Sequence, residues 1–85
     1  MAQWDKLLAR VLRGQSDANI AFDDLCSLLE RQGFDEAIIG DHHIFRKTGL
    51  AEIVNIQPLR DGKAKPYQVR QVRQLLRKYG LTQIS

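Results

Sequence analysis

Ala37-Ile38-Ile39-Gly40-Asp41-His42-His43-Ile44-Phe45-Arg46 decides how the chain is read, because here apolar residues stop recurring every three or four positions and begin to alternate. Two short runs rich in β-branched residues, Ala37-Ile38-Ile39 and His43-Ile44-Phe45-Arg46, flank Gly40-Asp41. A third, Glu52-Ile53-Val54-Asn55-Ile56, follows Lys47-Thr48-Gly49. Connections this tight make neighbours antiparallel, so the spacing predicts a three-stranded meander. Pro58 cannot donate to the ladder and ends the third strand.

Helical spacing lies on both sides of this stretch. Upstream, Phe22, Leu25, Cys26, Leu28 and Leu29 share one face, Asp23 and Asp24 suit a helix N-terminus, and Gly33-Phe34 reads as a Schellman-type stop. Farther upstream, Trp4, Leu7, Leu8, Val11 and Leu12 predict a helix at about residues 2 to 13. The polar run Gly14-Gln15-Ser16-Asp17-Ala18-Asn19 then marks a connection. Downstream, Pro66 opens a helix whose stripe is Val69, Val72, Leu75, Leu76 and Tyr79, ended by Gly80-Leu81. The expected fold is α+β: a three-stranded antiparallel sheet with helices on one face, a compact unit at 20–85, and an added helix and connection at 1–19.

Eighty-five residues make one domain, and a chain of this length buries only about 60% of its unfolded surface. Any active site should therefore be shallow. Hydrophobic residues at 44% and charged residues at 27% exclude wholesale disorder. Cys26 is the single cysteine, which excludes an intrachain disulfide and fits a reducing cytoplasm. No signal-peptide pattern opens the sequence and no apolar run approaches a membrane span, so the expectation is a soluble, unprocessed protein.

Charge is divided along the chain. Residues 1–41 carry four Lys/Arg against eight Asp/Glu, net −4, whereas residues 42–85 carry nine against two, net +7. The C-terminal half is suited to an anion, nucleic acid being the commonest. The basic residues of the last helix, Arg70, Arg73 and Arg77 among them, have two readings at this stage: a solvated face or a patch that tracks phosphates.

The histidines, His42 and His43, are neighbours on one strand and so point to opposite faces. They cannot jointly grip one metal, and no third ligand is obvious, so neither a metal centre nor another cofactor is expected. One imidazole can move a proton near neutral pH, although strand histidines are ordinarily plain surface or half-buried residues.

The run Leu28-Leu29-Glu30-Arg31-Gln32-Gly33-Phe34, then Gly40-Asp41-His42-His43-Ile44-Phe45, then Val72-Arg73-Gln74-Leu75-Leu76-Arg77-Lys78-Tyr79-Gly80-Leu81 resembles the HicA toxins of bacterial toxin-antitoxin systems, over about 60 residues from Ile20 to Leu81. The resemblance implies a fold like a double-stranded-RNA-binding domain, α-β-β-β-α. It implies a metal-independent endoribonuclease acting on mRNA and neutralised by a HicB-like antitoxin. The family's Gly-Ser/Gly-His motif falls on Gly40-Asp41-His42, so His42 matches the catalytic histidine and His43 a common but dispensable companion.

His42 is then expected to take a proton from a ribose 2′-OH, with Arg46, Lys47, Arg60, Lys63 and Lys65 as candidate RNA contacts. Two departures stand out. Asp41 replaces the family's Ser or Gly, placing a negative charge one residue away from where phosphate should lie and either weakening RNA binding or holding the imidazole protonated. The helix around Trp4 is an addition, which either extends the core or docks a partner. The rival readings are a catalytically silent RNA-binding module of the same fold, in which Asp41 has ended the chemistry, and a purely structural interaction protein.

Overall fold

In the computed structural model, which describes residues 3–83, Gly40 has φ +63° whereas Asp41 does not take a positive φ. A positive φ confined to the first central residue is the signature of a type II′ turn, whose twist matches that of the strands it joins. The turn sets the register of β1 (Asp35–Ile39) and β2 (His42–Arg46), with Ile39 opposite His42 and Asp35 opposite Arg46. β3 (Val54–Ile56) pairs on the other side of β2, His43 opposite Ile56 and Phe45 opposite Val54. The sheet order is β1-β2-β3, antiparallel throughout, as the spacing predicts.

Strand limits differ from the sequence reading. β1 begins at Asp35 and β2 at His42, because Asp35, Glu36 and His42 pair through their backbones in spite of side chains that weaken the alternating pattern. β3 begins two residues late, at Val54, since Glu52 turns away to an ion pair with Lys78 and Ile53 is 48% exposed.

Three α-helices accompany the sheet: α1 (Gln3–Arg13), α2 (Phe22–Arg31) and α3 (Pro66–Lys78), with a 3-10 turn at Asp17–Asn19. The sequence-predicted start of α1 at residue 2 lies outside the described residues. α2 ends as its Gly-Phe pair predicts: Gly33 N donates to Glu30 O at 2.9 Å and Phe34 N to Leu29 O at 3.1 Å. Gly33 has φ +94°, and a Cβ there would collide with Lys47 Nζ, which donates to the Gln32 carbonyl at 2.8 Å. α3 repeats the same stop through Gly80 and Leu81.

One face of the sheet is covered. Phe45 and Ile56, both fully buried, and Val54 meet Leu25, Leu28 and Leu29 of α2 and Val69, Val72, Leu75 and Leu76 of α3 in a single core. Burying a side chain of the size of Phe45 contributes about 1.5–3 kcal/mol. Leu7, Leu8 and Val11 of α1 join that core, so the added helix extends it, and the Arg31 guanidinium lies 4.7 Å from the ring centroid of the half-buried Trp4. Cys26 is buried among the same residues. Among the described residues, no helix is long and apolar enough to cross a membrane.

The arginines of α3 hold α1 in place. Arg73 donates to Val11 O at 3.2 Å and to Asp17 Oδ1 at 2.9 Å, and Arg77 donates to Leu12 O. These carbonyls belong to the last turn of α1, where no intrahelical donor follows. Of the two readings of the α3 cations, the phosphate-tracking one therefore does not apply to Arg73, whose guanidinium is spent inside the molecule, whereas Arg77 stays exposed beside its one bond to α1.

Candidate active site on the open sheet face

The uncovered face of the sheet carries Ala37 and Ile39 from β1, His42, Ile44 and Arg46 from β2, and Asn55 from β3. His42 follows the type II′ turn directly, which leaves its side chain 47% exposed at the end of the strand. Pairing of Ile44 with Asn55 brings the Asn55 carboxamide alongside, and His42 Nδ1 lies 3.0 Å from Asn55 Oδ1. His42 Nε2 lies 3.2 Å from Gln57 Nε2, just beyond β3.

Gln57 fixes the proton on this ring. Lys65 Nζ, which can only donate, lies 3.2 Å from Gln57 Oε1, and the Asp41 carboxylate, which can only accept, lies 3.1 Å from Gln57 Nε2. The amide is thereby oriented with its NH2 toward His42, so Nε2 of the ring must accept. The proton resides on Nδ1, where the Asn55 oxygen receives it. The result is a neutral imidazole with its lone pair on Nε2, where the Gln57 NH2 meets it, the form a general base requires.

Gln57 is itself anchored, its backbone N–H donating at 3.0 Å to Oε1 of Gln68, which is buried on α3. Asp41 remains ionised: the Gln57 hydrogen bond, and with smaller effect its own backbone and the nearby Lys65 ammonium, hold its carboxyl below the usual carboxylate range. Its oxygen stands 3.9 Å from His42 Nε2, and the Gln57 NH2 donates to both groups.

The five expected cationic contacts are dispersed. Lys65, at the N-cap of α3, reaches the His42 network through Gln57. Lys63 and Arg60 lie exposed in the loop between β3 and α3, where Lys63 N donates to Asp61 Oδ1 at 3.0 Å and Phe22 N donates to Gly62 O at 2.9 Å, clipping the loop to the start of α2. Arg46 shares the open face with His42 but sits four residues on, about 13 Å along the strand. Lys47 caps the C-terminus of α2.

His43 points the other way, to the helix-covered face, with Nδ1 2.6 Å from Glu36 Oε2 and its ring edge-on to Phe22 at 4.8 Å. Sequence reasoning did not single out Asn55, Gln57 or Gln68. Their signal was weak: Asn55 and Gln57, carboxamides just before and after the end of a strand, have no motif and only the register places them at the histidine, and Gln68 reads as an ordinary helix residue. Asn55 also borders a shallow cleft between β3 and α3, lined besides by Ile53, Val54, Gln71, Gln74 and Leu75. Comparison with protein-family models, with curated proteins and with solved structures finds no match to this chain.

Proposed function

We propose that the protein is a HicA-like endoribonuclease, the toxin of a toxin-antitoxin pair, which cleaves mRNA with His42 as general base. The observation that carries this reading is the Lys65–Gln57–His42–Asn55 chain of hydrogen bonds, which leaves a neutral, exposed imidazole with its lone pair on Nε2. A ribose 2′-OH displaces the Gln57 amide from that nitrogen and gives up its proton. The 2′-oxygen attacks the adjacent phosphorus, the bond to the 5′-oxygen breaks, and that oxygen leaves after taking a proton from the imidazolium or from water. Cyclic 2′,3′-phosphate and 5′-hydroxyl ends result. Lys65, one side chain from the ring, opposes the charge on the phosphoryl oxygens, and Lys63 and Arg60 extend the positive surface along the same loop.

The same reading treats the architecture as the family's double-stranded-RNA-binding-domain fold with α1 added, and places the protein in the cytoplasm, where mRNA is. A HicB-like antitoxin covers the open face, where the exposed Ile39 and the partly buried Ile44 flank His42. Incubating RNA with the wild type and with His42→Ala, and with RNA carrying a 2′-deoxy sugar at the cut, tests the chemistry: only the wild type on the 2′-hydroxyl substrate yields cyclic phosphate ends.

A second reading has one observation in its favour. The Asp41 carboxylate, 70% exposed and 3.9 Å from Nε2, occupies ground a phosphate would need. In a silent RNA-binding module it repels the scissile group, and Asp41→Ser then turns an inactive protein into a nuclease.

A further inference from the structure

The covered face of the sheet holds a second cluster that the His42 chemistry does not use. Cys26 of α2, Glu36 of β1 and His43 of β2 come from three elements, and one donor atom from each lies within 4.8 Å of the others. Glu36 and His43 side chains are each 21% exposed, so the cluster opens to solvent on one side while Cys26 closes it on the other. Thiolate, imidazole and carboxylate together are the donor set of a borderline divalent cation, and three protein ligands with one side open match a zinc site that keeps a position for water.

We propose that Cys26, Glu36 and His43 bind one zinc ion or a cation of the same class, clipping α2 to the β1–β2 hairpin. Ligands on one zinc, with bonds of about 2.0–2.3 Å, stand roughly 3 to 4 Å from one another. The 2.6 Å pair of His43 Nδ1 and Glu36 Oε2 therefore opens slightly and Cys26 Sγ closes in, changes within the reach of side-chain rotation. Phe22, edge-on to the His43 ring, holds the imidazole in place while this happens.

The electrostatics favour a cation over a nucleophile. Burial, then Glu36, Asp23 and Glu30 in turn, push the Cys26 thiol up to about 12, so without a metal it stays protonated and unreactive. The carboxylates around the cluster, Glu36 within it and Asp23 and Glu30 nearby, attract a dication, and on binding the thiol proton passes to solvent. The site lies on the face opposite His42 and does not depend on the ribonuclease reading.

Titrating the purified full-length chain with Co2+ tests the proposal directly. One cobalt per chain, a sulfur-to-cobalt charge-transfer band, displacement by Zn2+, and a melting temperature that rises with free Zn2+ are the expected results. Cys26→Ser removes the band. Glu36→Gln and His43→Gln, isosteric or nearly so and checked for folding by circular dichroism, weaken binding at least tenfold, and His42→Ala does not. Absence of the band from folded wild type, one metal per two chains, or binding that is lost with His42→Ala and kept with His43→Gln would each overturn it.

Discussion

His42 and Gln57 meet at 3.2 Å, and because Lys65 and Asp41 orient the Gln57 amide, the meeting decides where the histidine keeps its proton. Gln57→Glu inverts the logic. A carboxylate still accepts from Lys65 but can only accept from the ring, so Nε2 is driven to carry a proton and the imidazolium is stabilised. RNA cleavage at neutral pH should fall by about tenfold or more, while the nitrogen chemical shifts of His42 report the changed protonation. Retained cleavage with an unchanged tautomer would remove Gln57 from the site.

Salt dependence separates the two kinds of cation in the C-terminal half. If Lys65 and Lys63 neutralise phosphates, replacing either with Gln lowers the slope of log affinity for RNA against log salt by about one unit at most. Arg73→Lys should leave that slope unchanged, because its guanidinium is committed to Asp17 and Val11. A slope that falls with Arg73 and not with Lys65 would move the RNA surface to α3.

The sequence made the strand order, the two Gly-ended helices and the placement of the two histidines on opposite faces legible, because each rests on local periodicity or turn chemistry. Gly33-Phe34 and Gly80-Leu81 could be read as helix stops before any packing was known. What escaped was set by long-range register. Asn55 reaches His42 across thirteen positions and Gln57 across fifteen, and no pattern in either carboxamide signals it. The roles of Arg73 and Arg77 were hidden for the same reason, since their partners, Val11, Asp17 and Leu12, lie more than fifty residues away.

The Asp17–Arg73 pair is 15% and 13% exposed on its two sides, so each charge depends on the other. Asp17→Ala strands a mostly buried guanidinium and should cost about 3 kcal/mol, the low end of the range for broken buried pairs because some water remains. The double variant Asp17→Ala, Arg73→Met should recover part of that loss in urea denaturation. A double-variant cost equal to the sum of the costs of Asp17→Ala and Arg73→Met alone would mean that the charges are not coupled.

Lys78 titrates above the ordinary lysine value of 10.5, chiefly through its hydrogen bond to Glu52, then through that carboxylate's charge and Tyr79. A raised folded-state pKa stabilises the fold fully below the unfolded value, and the contribution fades as pH rises through the folded one. The contribution made through Lys78 is thus constant at neutral pH and fades in strong alkali. Glu52→Gln should bring the Lys78 ammonium back toward 10.5 in an NMR titration, and high salt should do part of the same. An unshifted Lys78 in the wild type would rule the pair out in solution.

Whether one exposed imidazole moves the proton from sugar to solvent is decided by product analysis on a defined RNA. Wild type should release fragments ending in 2′,3′-cyclic phosphate, and folded His42→Ala should cut on the order of 10²–10⁴ times more slowly. Cleavage by His42→Ala at the wild-type rate, or wild-type products ending in 5′-phosphate, would contradict the account.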